Sequence, residues 1–400
     1  MAYNILIVSF IILSIFDIFI KKKFFLILIL SFFIYLFFFG FRGFIAWDWF
    51  HYYPNWISSI DFLEAIKKEF VFNMNTNLTY EKGYQVWMSI LKTFFNNWNV
   101  YLFFTTLVDT VLLMIIFYKY SPYPVFSILL FLGFGGIQIQ LDLMRNFKAL
   151  LVFLFSIEYL KNKKNIKYFI FNIFSSSLHR SSLLYLIIGY FLNKNFYKYK
   201  KTLLSFFTLG IFVLIFSDKI LYEILSFVKF FLENFNFKSF NNIIEKLNMY
   251  LNSDYATPGK IGIGFFEKTF SFILFYLYRE KINKNEYGKI FFNIFLFYIF
   301  SYLYGNGVRI IFERIGLLFI CSYWILYPIL LKNISNIKRI LIFIFLISYC
   351  FLKINTTYVL DLKVKKLYEY KNILWNNESY EKKYKVFREV SDNFDMTNKK

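Results

Sequence analysis

The chain has 400 residues, 58% apolar and 25% aromatic, with apolar runs following one another along its length. A soluble globule with a single core is not built that way, so the composition implies an all-α integral membrane protein with no soluble domain. The net charge of +21 does not point to nucleic acid, because the lysines gather in short loops between apolar runs, as retention of loops on the cytoplasmic side requires.

The excess of Phe, Ile, Lys, Asn and Tyr matches an AT-rich coding sequence, so aromatic stripes read as lipid-facing surface and core, not as a cofactor box. With a span of ~20 residues as the measure, apolar runs lie near 2–20, 24–41, 98–118, 122–140, 146–160, 202–217, 262–278, 289–304, 315–331 and 338–354. Together with the 167–192 segment they predict about 11–12 transmembrane or re-entrant helices. No basic residue precedes the first run, Lys21-Lys22-Lys23 follows it, and no small-residue cleavage site is present. It reads as a retained helix with its N-terminus outside. Residues 84–95 carry Val86, Trp87, Ile90, Leu91 and Phe94 at helical spacing and read as a helix in the interface.

The runs 167–178 and 181–192 are each 12 residues, about 18 Å as helix against a hydrocarbon core of ~30 Å. One broken helix would put lysine-rich flanks on opposite faces, so a hairpin of two short helices is expected, with His179 and Arg180 at its tip. Beyond residue 118, the short loops at 119–121, 161–167, 193–201, 279–289 and 332–339 carry 16 Lys or Arg, against five for 141–148, 179–180 and 305–314. The first set is placed in the cytoplasm. The expected organisation is a polytopic membrane domain over 1–354, with outer loops 42–97 and 218–261, and a polar, charged C-terminal tail over 355–400, also placed outside.

Of 46 basic residues only eight are Arg, yet Arg42, Arg145, Arg180, Arg309 and Arg314 all fall at segment ends on the outer face. A forked, permanently charged guanidinium suits bidentate grip on phosphate or carboxylate. Asp48, His51, Tyr52, Tyr53, Glu81, Tyr84, Asp142, His179 and Glu313 join them there. Against each stands a plainer role: an Arg at a helix end is often only an interfacial anchor, and Asp142 and Arg145, three apart, could pair on one helix face. Asp109, mid-span, is a functional candidate or a structural partner for an Arg or polar neighbour. Asp17 and Glu158 read as partners of nearby lysines.

Cys321 and Cys350 read as core packing. Two histidines far apart make no recognisable metal site, and no cofactor is expected. There is no phosphate loop and no nucleophile elbow. Gly133-Phe-Gly135-Gly136 reads as close helix packing, and Ser175-Ser-Ser as small-residue packing.

The pattern Arg42…Trp47-Asp48…Tyr52-Tyr53, then Glu81-Lys-Gly83-Tyr84, Arg145 opening a helix, Ser-Leu-His179-Arg-Ser-Ser at a turn, and Val-Arg309…Arg314 resembles the EpsG family of Wzy-like bacterial polysaccharide polymerases. The resemblance covers roughly residues 30–330. It departs where Ala46-Trp47-Asp48 replaces Gly-x-Asp and where Asn146 follows Arg145. It implies a multi-pass protein of the bacterial cytoplasmic (inner) membrane that joins polyprenyl-diphosphate-linked oligosaccharide repeats into O-antigen, capsule or exopolysaccharide at the outer face. Its partners would be that glycolipid, the lipid bilayer, a flippase and a chain-length regulator. A catalytic set of His179, Arg145 and Glu81 is expected, with His179 or Glu81 as base. Arg309, Arg314, Arg42, Asp48, Tyr52 and Tyr84 are expected to bind substrate. The alternatives are a membrane O-acyltransferase of surface glycan and a non-enzymatic glycolipid flippase.

Overall fold

The computed structural model describes residues 2–19, 25–74, 80–234, 244–245, 248, 261–306, 309–361, 365–376 and 378–398. The described residues are helical apart from loops and two isolated bridges, Arg42 with Asn372 and Ser59 with Asn73. Among the described residues four helices are long and apolar enough to cross a membrane: Ala2–Phe19, Trp98–Tyr120, Pro124–Leu141 and Gly288–Gly305. The fold is an all-α membrane protein. It divides into two compact units, 1–190 with 323–400, and 191–322.

In the first unit Ala2–Phe19 packs on Pro124–Phe131, and Phe25–Gly40 on Trp98–Tyr120. The lysines read above as partners of Asp17, Lys21 to Lys23, lie outside the described residues. Asp17 accepts hydrogen bonds from the backbone N–H of Val125 (2.8 Å) and Phe126 (3.0 Å). Those are first-turn donors that a helix cannot satisfy internally, and Asp17 caps them from a neighbouring helix. Glu158 does pair with Lys119, at 3.0 Å. The glycine run breaks Pro124–Leu141 at Gly135, whose φ is 86°. A Cβ on Gly133 would collide with Cys350, so this glycine allows the close helix packing expected of it. Cys321 and Cys350 are buried and unpaired with each other.

The expected hairpin is present. Asn165–Leu178 ends at His179, a short 3-10 turn over Arg180–Leu183 reverses the chain, and Leu184–Leu192 runs back. The Tyr168 hydroxyl donates to the Tyr185 carbonyl at 2.6 Å, and Gly189 lies so close to the Tyr168 ring that a Cβ there would overlap it.

The segment read as a polar tail is folded onto the loop that follows Phe25–Gly40. Gly43 N–H donates to Lys371 O (2.9 Å), Ala46 N–H to Leu367 O (3.0 Å) and Ile373 N–H to Phe41 O (2.9 Å). Tyr380 and Phe387 of the Tyr380–Asn398 helix pack against Trp49. Ala46 sits at φ 76°, a left-handed conformation that costs an L-residue about 1–2 kcal/mol. It occupies the position where the resembled pattern carries Gly.

In the second unit Lys200–Ile215 packs on Gly288–Gly305, with Phe207 stacked on Phe272 at 3.8 Å. Asn293 donates to the carbonyls of Leu192 and Lys194, both at 2.8 Å. The expected outer loop 218–261 begins as a helix, Ser217–Asn234, and most of its remainder lies outside the described residues.

Gly189→Ala should lower the thermal midpoint of the detergent-solubilised protein, because overpacking of this kind costs about 1–3 kcal/mol. Combining it with Tyr168→Ala, which vacates the ring, should restore part of the difference. An unchanged midpoint for Gly189→Ala would contradict the close hairpin.

Candidate functional site

The site is assembled at one end of the first unit from three stretches far apart in sequence. Glu81 is the residue before the Lys82–Phe94 helix, with extended backbone. Arg145 lies in the first turn of Met144–Lys161, and His179 at the hairpin tip has extended backbone (φ −155°, ψ 119°) between its two helices. The Glu81 carboxylate is only 10% exposed, and one oxygen, Oε2, meets Arg145 Nη1 at 2.5 Å. The other, Oε1, accepts the backbone N–H of Arg180 at 3.1 Å and stands 3.5 Å from His179 Nδ1. One carboxylate thus ties an arginine to the backbone of the tip and faces an imidazole nitrogen that has no hydrogen bond among the described residues.

Aromatic side chains enclose the cation. The Tyr80 ring lies 4.1 Å from Arg145 Cζ, a cation–π contact that strengthens as water is excluded. The Tyr52 phenol also bears electrostatically on the Arg145 guanidinium. Tyr52, Tyr80 and Tyr84 have ring centroids 5.5–5.9 Å apart. The Tyr84 hydroxyl, fully buried, is 2.9 Å from that of Tyr101. Arg145 Nε is buried with no partner among the described residues, so the guanidinium keeps a donor beyond those Glu81 uses.

Burial alone would raise the pKa of Glu81. The contact with His179, the Arg145 charge and the Arg180 N–H outweigh it and hold the carboxyl at about 2. It is a carboxylate at any physiological pH and a weak proton acceptor. Burial pushes the Tyr52 phenol up to about 12, although Arg145 pulls the other way. Burial, then the Arg145 charge, hold His51 below its ordinary value.

The other expected residues divide. Asp48 precedes the Trp49–Ser58 helix, and its charge bears on Tyr52 and Tyr80. Arg42 is elsewhere: it is 3% exposed, donating to Phe39 O, Thr106 Oγ1 (2.9 Å) and Gln140 O (3.4 Å). Its fork is spent on holding helices together. Asp142 does not pair with Arg145. It accepts the backbone N–H of Trp47 (2.6 Å) and Asp48 (3.0 Å) and the Tyr368 hydroxyl (3.0 Å), fixing the loop that positions Tyr52. Arg309 and Arg314 belong to the second unit. Arg314 is exposed, and the side chains of Arg309 and Glu313 lie outside the described residues.

Sequence reasoning misses Lys148. Its position near a helix start counts it as a loop charge, yet it is 6% exposed inside Met144–Lys161, 2.7 Å from Asp109 Oδ1 and 4.6 Å from the Trp87 ring centroid. A Lys three residues after Arg145 within an apolar run is the available signal, and Asp109 the obvious partner. Tyr80 carries no comparable signal among 33 tyrosines. No group of three or more His, Cys, Asp or Glu able to hold a metal exists among the described residues.

A carboxyl held below its unfolded pKa stabilises the fold fully above the unfolded value, about 4.5, and the contribution is lost as pH falls toward about 2. Glu81→Gln should therefore lose less thermal stability than the wild type between about pH 5 and pH 2.5. Equal acid sensitivity of the two proteins would contradict the clamped carboxylate.

No curated protein and no solved structure gives a significant match to the chain. The EpsG family profile matches residues 24–372, most of the chain, including Glu81, Arg145 and His179. The chain belongs to the EpsG family of polysaccharide polymerase-like membrane proteins.

Proposed function

We propose that the protein is an oligosaccharide repeat-unit polymerase acting on polyprenyl-diphosphate-linked glycans at the outer face of the bacterial cytoplasmic membrane. The observation that carries this reading is the Glu81 carboxylate, which holds a stacked arginine on one oxygen and faces an imidazole with the other. A diphosphate-linked sugar is already activated. What remains is to steady the departing diphosphate, remove a proton from the attacking hydroxyl and hold both sugars in line.

Arg145 suits the first task. Its charge is fixed, its ring partner and Glu81 set its orientation, and its side chain stays 23% exposed. His179 suits the second. With Nδ1 toward Glu81, its Nε2 is the nitrogen available to accept the proton while the acceptor oxygen bonds to the anomeric carbon and the carbon–oxygen bond to diphosphate breaks. Glu81, held near pKa 2, is a poor base and a good positioning group. Among the two bases left open by the sequence, the geometry favours His179. Asp48, partly exposed, stands where it can meet a sugar hydroxyl, while the buried Tyr52 and Tyr84 back the wall. Arg309 and Arg314 remain candidates for glycan contact through their charge. Outer-face orientation rests on the loop charges, 16 against five.

Arg145→Lys keeps the charge but loses the fork, so polymerisation should fall sharply with the protein still inserted. His179→Gln keeps a hydrogen-bonding group and removes the titratable nitrogen, so the rate should fall by roughly 10²–10⁴. Lipid-linked single repeats should accumulate in both strains, scored by labelled precursor chased into polymer. Normal polymer at normal membrane abundance in both variants would overturn the site. Changed glycan decoration with intact polymer would favour an acyltransferase, and repeats trapped inside would favour a flippase.

A further inference from the structure

A second groove opens on the first unit, with a volume of about 480 Å³, inside the ~300–1,000 Å³ range of small-molecule sites. One wall is aromatic. Tyr53 and Tyr380 stack at 4.7 Å, and Trp98 meets Tyr53 edge-on at 5.4 Å. The opposite rim carries amides and carboxyls, Asn96, Asn99 and Glu381 among them. The Trp98 side chain is 7% exposed, and its indole N–H has no acceptor among the described residues.

The chemistry of the rim narrows the occupant. Lys92, the cation lining the groove, already donates to the carbonyls of Trp56 (2.7 Å) and Ile57 (2.8 Å). Glu378 and Glu381 face the same space, so an anion such as phosphate is disfavoured. A neutral molecule with one apolar face for the rings and many hydroxyls for the amides and carboxylates fits, and a pyranose has both. From this we propose that the groove is a glycan-binding subsite, separate from the Arg145 centre, that holds an uncharged part of the oligosaccharide.

It is connected to that centre by stacked rings. Trp98 stacks on Tyr101 at 5.3 Å, and Tyr101 is hydrogen-bonded to Tyr84, which packs on Tyr52 beside Arg145. Tyr84 and Tyr101 are fully buried, so this link runs through the core behind the groove. The tail contributes to binding through Tyr380 and Glu381. The identity of the glycan rests on the polymerase reading; the sugar-binding chemistry of the groove does not.

The test uses the full-length protein in detergent, titrated with oligosaccharides released by mild acid from the surface polysaccharide of the source cells. The wild type should bind. Asn96→Ala with Glu381→Gln, at exposed positions, should weaken binding about tenfold or more through lost hydrogen bonds. Trp98→Phe should weaken it too, while Tyr380→Phe, which keeps the ring, retains it. Arg145→Lys should bind as the wild type does. No binding by the wild type, or undiminished binding by the Asn96/Glu381 double variant, overturns the subsite. So does loss of binding in Arg145→Lys, which would put the glycan at the other centre. If the double variant loses binding while Arg145→Lys and His179→Gln polymerise normally, the subsite stands and the polymerase assignment to Arg145 and His179 falls.

Discussion

A cation carried into the interior of a helix bundle must meet an opposite charge there, because removing one partner of such a pair costs about 3–5 kcal/mol. Lys148 and Asp109 meet that demand at 2.7 Å, and the geometry of the site follows from how they do it. Lys148 ties its own helix, Met144–Lys161, to Trp98–Tyr120 through Asp109, and to Lys82–Phe94 through the Trp87 ring. Trp87 in turn donates to Thr105, on the same helix as Asp109, at 2.7 Å. Arg145 precedes Lys148 by three residues on one helix face, and Glu81 immediately precedes the helix that carries Trp87. Once the buried pair forms, little freedom remains in the distance between Glu81 and Arg145.

That arrangement divides labour between two depths. The deep charges, Arg42, Asp109 and Lys148, bind protein partners, although Asp109 Oδ2 is left without one among the described residues. Among the shallower ones, Arg145 and His179 both face Glu81, and each keeps a nitrogen that Glu81 does not engage. A half-enclosed aromatic recess strengthens electrostatic contacts relative to water, so an arginine there is a better ligand for developing negative charge than the same residue on a loop. The tail follows the same logic. Through Leu367, Lys371 and Tyr380 it closes over the loop bearing Trp47, Asp48 and Tyr52, which Asp142 pins from the other side.

Much of this is legible in the sequence because it follows from lengths and charges. Two 12-residue runs cannot each span a bilayer, so the hairpin and the tip position of His179 are readable. Glu81, Arg145 and His179 are readable through the family pattern. Arg42 is not, because a helix-end arginine facing water and one turned inward look alike until the neighbouring helices are placed. Lys148 is misread for the opposite reason, a charge near a helix start being taken for loop. The tail looks merely polar by composition, although Tyr380, Tyr384 and Phe387 recur at the spacing of one helix face and stack as one row. Ala46 shows how a departure from a family pattern can be borne: its left-handed backbone is held by the Leu367 carbonyl.

We propose that Glu81, 3.5 Å from Nδ1, orients His179 and leaves Nε2 for the proton. With only two histidines in the chain, nitrogen NMR of histidine-labelled protein, assigned with a His51→Gln variant, reads the tautomer directly. In neutral His179 the proton should reside on Nδ1, and Glu81→Ala should release that preference. A His179 ring protonated on Nε2 in the wild type, unchanged by Glu81→Ala, would contradict the account.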